Sequence, residues 1–264
     1  MAATNCYLTE HACGDALPTH RHAGAYASLV LRGDYLEASA DGPIACTPGI
    51  LILHPAFHAH GNRFGGRGAR VVNLALSTAL APDTMRVLQV ARPDVARRVF
   101  EHGVRELPAL LADAHCCATT PRADWQDAFV HALADSDDPI ADIARRCGVS
   151  SAHASRTLLA SHGMPPQQLR RELRWRRALR QLRGDAALAD IAADTGFADQ
   201  SHFNRTVRAF TGLTPSSLRR HIKCVQDTAA TSADHHSGMK AAITCPPEPN
   251  PCAAIHASAT SSPV

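Results

Sequence analysis

Up to about residue 80, the apolar positions come in short runs broken by glycine and proline. Ala27-Ser-Leu-Val-Leu-Arg leads into Gly33-Asp34, Ile50-Leu-Ile-Leu-His follows Pro48-Gly49, and Val71-Val-Asn-Leu-Ala-Leu is a third run. Runs of this length between turn residues predict strands. Several in succession predict a barrel or sandwich. From 82 to 135 the spacing shifts towards helical intervals, in Pro82 to Val90, Ala91 to Phe100 and Asp124 to Ala134. These predict a helical segment that packs on the barrel or forms a dimer interface. From 136 to 222 the pattern is helical throughout, with Gly148, Gly163, Gly184, Gly196 and Gly212 as stops. Asp138-Pro139 predicts a helix start, with Asp as the cap and Pro at the first helical position. After Lys223 the chain turns to Ala, Ser, Thr and Pro, with PPEPNP at 246–251, which predicts a disordered tail over 224–264.

Within the helical stretch one phrase occurs twice. Ala141, Asp142, Ile143, Ala144 and Gly148 recur as Ala189, Asp190, Ile191, Ala192 and Gly196, always 48 residues on. In the first copy a two-turn helix presents Ile140, Ile143 and Ala144 on one face. Gly148 permits a sharp left-handed turn, Val149 fills the corner, and Ser150 caps a second helix running to about Ser161. The second copy predicts a helix capped by Asp185, a turn at Gly196, and Phe197 in the corner. A longer helix follows, whose stripe is Phe203, Val207 and Phe210. There Ala198 stands where the first copy has Ser150, so Asp199 takes the cap or acts through the helix dipole. Helix, glycine turn, helix is the helix-turn-helix pattern. Between the copies, Pro166 to Gly184 reads as one linking helix.

Charge separates this stretch from the rest. The net charge is +3, but residues 136–223 carry 15 Lys/Arg against 8 Asp/Glu, while 1–135 carry 11 against 13. A basic third beside near-neutral flanks points to a polyanion partner, with a merely solvated arginine-rich surface as the plain alternative. The N-terminus has no basic start followed by an apolar run, so no signal peptide is expected. No apolar run approaches about 18 residues, so no membrane span is expected either. Nine cysteines, an odd number with no C-x-x-C, read as reduced cytosolic thiols. The protein is expected to be cytoplasmic.

The ordered motifs of 136–222 resemble the DNA-binding domain of the AraC/XylS family of bacterial transcription regulators. They are Asp142-Ile-Ala, Gly148-Val-Ser, Pro166-x-x-Leu169, and Arg174, Ala178 and Leu182 at intervals of four. Asp190-Ile-Ala with Gly196-Phe, Asp199-Gln-Ser-x-Phe-x-Arg205 and Gly212-x-Thr-Pro215 complete the set. The resemblance implies two reading helices joined by a long helix. Such a domain places each reading helix in a major groove, with successive grooves about 34 Å apart. By the same resemblance Ala152, Ser155 and Arg156 fall at DNA-contacting positions of the first reading helix. Ala152 and Ser155 depart from the longer side chains common there, so the first unit is expected to bind more through the DNA backbone. In the second, Gln200, Ser201, Asn204 and Arg205 face away from Phe203 and Val207. Arg suits guanine, and Gln and Asn suit adenine. Each side chain is otherwise an exposed solubilising group. Arg145, Arg146, Arg170, Arg171 and Arg174 are candidates for phosphate contact, or, for Arg174, for an internal brace.

A second constellation lies in the strand-rich part: His20 and His22 in PTHRH, then His54, His58 and His60 in HPAFHAHGN. On a strand, i and i+2 share a face, so His20 pairs with His22 and His58 with His60. With Gly14, Gly33, Gly42 and Pro48-Gly49 this resembles the cupin motifs, which are found in the sensor domains of many AraC-type regulators. The carboxylate that usually follows H-x-H is absent from Ala23-Gly-Ala-Tyr-Ala. Three readings stand: remnants lining a pocket for a small organic effector, ligands for a divalent metal such as zinc, and structural hydrogen-bonding groups. No cofactor follows with certainty.

The expected fold is α+β and multidomain. It comprises a cupin-like β-barrel with helices (1–80), a helical packing or dimerisation segment (81–135), and an all-α domain with two helix-turn-helix units (136–223), before the tail. The expected function is a non-enzymatic, sequence-specific DNA-binding regulator, an effector-responsive activator. Its expected partners are double-stranded DNA, RNA polymerase, a small-molecule effector and a second copy of itself, with no membrane. The rival class is a cupin metalloenzyme of dioxygenase type that uses the histidines catalytically.

Overall fold

The short apolar runs of the N-terminal part belong to one antiparallel sheet. The structure, a computed structural model, describes residues 6–77, 80–92, 107–112, 114–117 and 123–223. Its strands are β1 (Cys6–His11), β2 (Ala16–Arg21), β3 (Tyr26–Ser39), β4 (Gly42–Cys46), β5 (Ile50–His54), β6 (Ala59–Ala75), β7 (Arg86–Gln89) and β8 (His115–Cys116). The order is β1-β6-β3-β5-β7-β8, with β2 also on β6 and β4 also on β3.

Two long strands organise this sheet. The run from Ala27 does not end at Gly33-Asp34 as its turn residues predict. β3 continues to Ser39 and pairs with β6 along its whole length, with register shifts on either side of Gly33. Gly33 and Gly68 both have positive φ, and a Cβ on Gly33 would collide with the Gly68 carbonyl oxygen. Glycine here lets two backbones cross at a bend rather than stop a strand. β5 lies against β3 with both faces covered. Leu51 and Leu53 join Ala27, Leu29, Val72, Leu74 and Leu88 on one side; Ile50 and Ile52 join Val30, Tyr35, Ile44, Phe64 and Val71 on the other. That accounts for its unbroken apolar run.

Residues 86–89, expected as helix, form β7. They pair with β5 and put Leu88 into the first of those clusters. Pairing with a ready strand overrides the weak helical spacing. The expected helix at Ala91 to Phe100 lies almost wholly outside the described residues, and the expected tail lies entirely outside them.

The helices are α1 (Leu107–Ala112), α2 (Asp124–Asp135), α3 (Ile140–Arg146), α4 (Ser151–His162), α5 (Pro166–Gln181), α6 (Leu188–Asp194) and α7 (Gln200–Thr211). Residues 215–223 form a final helix, α8. The molecule is thus mixed α/β, with an N-terminal antiparallel sheet and C-terminal helices. Two cluster cores serve the helices. Phe129, Leu133, Ile143, Ala144, Ala154, Leu158, Met164 and Leu169 pack with Ala40 and Ala59 of the sheet. Trp175, Ala178, Leu182, Ile191, Ala192, Phe197, Phe203, Val207 and Leu218 form the other, with Phe57 against it.

The helix caps differ in part from expectation. Ser150 caps α4 by accepting from the His153 amide (3.1 Å), and Asp199 caps α7 by accepting from the His202 amide (2.5 Å). Asp138 does not cap α3: Pro139 holds the cap position, and Asp138 accepts from Arg146 (2.6 Å) instead. Asp185 does not cap α6 either; Ala187 holds that position, and Asp185 pairs with Lys223. In both places a nearby cation takes the carboxylate away from the helix end. The linking helix α5 ends at Gln181, one turn short of Gly184.

Candidate nucleic-acid interface and histidine cluster

The duplicated phrase produces the same local geometry twice. α3 ends at Arg146 with Cys147 as its cap, Gly148 takes φ 71°, and α4 begins after Ser150; α6 ends at Asp194 with Thr195 as its cap, Gly196 takes φ 79°, and α7 begins after Asp199. In each turn the corner residue returns its amide to the preceding helix: Val149 to the Ala144 carbonyl (3.0 Å), Phe197 to the Ala192 carbonyl (2.9 Å). The small Ala144 and Ala192 are buried at the crossings. These are helix–glycine turn–helix units, bridged by the 16 residues of α5, about 24 Å of helix.

On α4, Ala152 and Arg156 are exposed and Ser155 is half-buried; Ala154 and Leu158 turn inward. On α7, Gln200, Ser201 and Arg205 are exposed, opposite buried Phe203, Thr206 and Val207. Asn204 is half-buried, with its Oδ1 shielded and no hydrogen-bond partner among the described residues. The Arg156 and Arg205 guanidinium groups appear in no ion pair among the described residues. By contrast, Arg145 bonds Asp142 (2.7 Å), Arg146 bonds Asp138, and Arg170 donates to the Asp138 carbonyl (2.6 Å). Arg174 pairs with Asp137 and lies under Gly196, an internal brace. Arginines with no acidic partner among the described residues suit polyanion binding better than those already paired with a carboxylate.

The histidines gather at one end of the sheet. His20 Nε2 lies 3.2 Å from His22 Nε2, although His22 is just past the end of β2. The ring centres of His20 and His22 are 4.4 and 5.5 Å from that of His60. His54 and His58 stand 4.9 and 5.8–5.9 Å from their neighbours in the same group. Donor nitrogens of His20, His22 and His60 fall within 4.8 Å of one another, as do those of His54, His58 and His60. Burial, with the other histidines close by, keeps the His22, His54 and His60 rings neutral. It lowers His22 to about 4 and pushes His54 and His60 well below the usual histidine value.

Sequence reading missed four partners of this cluster, Tyr26, Ser28, Glu37 and Asp41, because each meets its histidine from a distant part of the chain. Tyr26 places its hydroxyl 3.0 Å from His60 Nε2, and Ser28 places its own 3.2 Å from His54 Nε2. Glu37, on β3, is buried with Oε1 3.8 Å from His54 Nδ1. Burial, helped by the Asp41 charge, pushes its carboxyl up to about 8, so at neutral pH the contact joins two uncharged groups. The alternation of β3 carries this signal, since Tyr26, Ser28 and Glu37 can be placed only once its full length is known. Asp41 accepts from His58 Nε2 (3.0 Å) and from both Arg176 terminal nitrogens (3.1 and 2.7 Å). Burial alone would raise Asp41, but His58 and Arg176 hold it well below the usual carboxylate range.

Residues 143–221 match the family described as a helix-turn-helix domain. No curated protein matches the chain. Among solved structures, ToxT from Vibrio cholerae overlays with 12% identity, covering 81% of this chain and 97% of its own, at a TM-score of 0.38. An AraC-type transcriptional regulator from Chromobacterium violaceum shares 26% identity over 37% of this chain and 91% of its own, at 0.35. The salicylate 1,2-dioxygenase of Pseudoaminobacter salicylatoxidans overlays on 26% of this chain and 21% of its own, with 18% identity, at 0.25. These scores are too low to define a shared architecture. No helix among the described residues is long and apolar enough to cross a membrane. The stretch 143–221 is a helix-turn-helix domain whose motifs resemble those of the AraC/XylS type, and the chain is a DNA-binding transcription regulator.

Proposed function

We propose that the chain is a cytoplasmic, sequence-specific and effector-responsive transcription activator, acting on DNA together with RNA polymerase and as a homodimer. The N-terminal sheet is a cupin-like sensor, the segment from 81 to 135 supports packing or dimerisation, and 136–223 holds two helix-turn-helix units. Arg156, with Ala152 and Ser155, meets one major groove; Gln200, Ser201, Asn204 and Arg205 meet the next. The observation that carries this is the pair of outward faces, each bearing an unpaired arginine, on the third of the chain that holds the positive excess. The histidine cluster is the sensing site. It would exert control by shifting the population of arrangements in which both units face one side of a duplex.

The test is a gel shift of the full chain on DNA from upstream of its own gene. A retarded complex that survives excess unrelated DNA supports the reading, and its absence refutes it. The metalloenzyme alternative has the histidine cluster in its favour. It predicts substrate-dependent oxygen uptake by the iron-loaded protein with no DNA shift.

A further inference from the structure

We propose that Arg174 is a positioning residue for DNA reading, a role that rests on the regulator reading above. It closes the first helix–turn–helix unit and bears on the turn of the second, and so fixes which spacing of half-sites the two reading helices accept.

Each unit is fastened by the helix that follows it. On α5, the Arg170 guanidinium donates to the Asp138 carbonyl (2.6 Å), and Arg174, one helical turn on, pairs with the Asp137 carboxylate. On α8, Arg219 donates to the Ala186 carbonyl (2.6 Å), and Lys223, one turn on, pairs with the Asp185 carboxylate. Asp137 and Asp138 lead into α3, Asp185 and Ala186 lead into α6, and the two pairs stand 48 residues apart, the interval of the duplicated phrase. Side chains four apart share a helix face, so one face of each helix holds a carbonyl and a carboxylate of the chain entering its own unit. Even the unmet group recurs: the Nε of Arg170 and that of Arg219 are buried without a hydrogen-bond partner among the described residues. The repeat thus extends from a sequence phrase to a tertiary clasp.

The two clasps differ in what lies behind the second cation. A Cβ on Gly196 would stand 3.0 Å from Arg174 Nε and 3.4 Å from its Cζ, so the guanidinium lies against the turn between α6 and α7. At Gly148, the matching turn of the first unit, a Cβ would meet nothing within 4 Å. Beside the Arg174 contact the units are parted by an open cleft, lined by Gln167, Arg170 and Arg171 of α5 and by Phe197 and His202 of the second unit. α5 gives Leu169 to the first helical core and Trp175, Ala178 and Leu182 to the second, and Arg174 stands where one core gives way to the other. It holds the entry of the first unit with its end group and backs the turn of the second with its flank. Asp137 is exposed, so the ion pair adds little to stability. Its effect is on geometry. Each base pair advances a groove by about 3.4 Å and turns it by about a tenth of a helical turn, so a small swing of α6 and α7 about α5 shifts the second unit by a whole base pair.

The experiment selects duplexes from a random-sequence pool with the full chain and maps the two half-sites by footprinting. Affinity is then measured with one or two base pairs added or removed between them. The unaltered protein should lose about tenfold or more for a change of one base pair. Arg174→Gln and Asp137→Ala should lose most of that preference, with helix content by circular dichroism unchanged. Lys223→Gln, which opens the matching clasp of the second unit, should keep it. An Arg174→Gln protein that keeps the spacing preference overturns the proposal. So does one that weakens equally at every spacing, as a plain phosphate contact would, and so does an equal loss of preference in Lys223→Gln. If Arg174→Gln fails to fold, Asp137→Ala, which leaves the arginine stem in its packing, decides by the same profile. A pool that yields no enriched duplex overturns the regulator reading and the positioning role together, whereas an enriched duplex with an unaltered spacing profile overturns the positioning role alone.

Discussion

The two helix–turn–helix units share a backbone and differ in what stands behind them. The first is seated on the sheet. Ala40 and Ala59 enter its core, Arg63 donates to the Ala160 carbonyl (2.8 Å), and Thr19 donates to the Gly163 carbonyl (3.1 Å). The second is built around Trp175 of α5 and reaches the sheet part through Phe57 and Arg21. Their outer faces differ in the opposite sense. The first offers one long polar side chain, Arg156, while the second offers Gln200 and Arg205. The repeated phrase therefore keeps one shape in two settings, the first seated on the sheet and the second carrying more of the long exposed polar side chains.

The largest expected effect tests the separate cores. Phe203→Ala should remove about 3–5 kcal/mol from the second unit. Hydrogen exchange should show α6 and α7 losing protection while α3 and α4 keep theirs; equal loss in both would mean one shared core. Next come the outer faces. Arg205→Ala should cost about 1–3 kcal/mol on the specific site and relax one base pair, with Gln200 still discriminating nearby. Arg156→Ala should leave the first unit with no sequence preference. Gel shifts on site variants check both, and equal loss of Arg205→Ala on every sequence would reduce it to a phosphate contact. Smaller effects belong to the turns. Gly148→Ala and Gly196→Ala both force a side chain into left-handed backbone, about 1–2 kcal/mol each. Gly196→Ala should cost more, because its Cβ would meet Arg174 Nε at 3.0 Å while the space at Gly148 is open. Denaturant unfolding of the pair decides. Smallest are the caps: Ser150→Ala and Asp199→Ala should each cost about 1 kcal/mol in the same assay, and Asp199→Asn should cost less.

Much of the helical part was legible because its signals are local. Caps at Ser150 and Asp199, turns at Gly148 and Gly196, and the Phe203–Val207 stripe each depend on residues within one or two turns. The misreadings have a common cause in distant partners. Asp138 and Asp185 look like caps until Arg146 and Lys223 are brought beside them. Gly33 looks like a strand end until Gly68 is seen to cross it, and Arg86 to Gln89 look helical until β5 supplies an edge. The histidine cluster was half visible: the i, i+2 pairs announce themselves, but Tyr26, Ser28 and Glu37 join it only through the pairing of β3, and Asp41 only through the turn that follows it.

Phe57 alone among the described non-glycine residues has positive φ, 59°. Its amide bonds the His22 carbonyl (2.8 Å), its carbonyl accepts from Arg21 (2.9 Å), and its ring packs edge-on to Trp175. That backbone is held about 1–3 kcal/mol above its comfortable state by contacts on both sides of the joint. Both hydrogen bonds belong to the sheet part itself, so the strain is a standing cost of seating the Phe57 ring against Trp175 and would outlast any parting of the sheet from the helices.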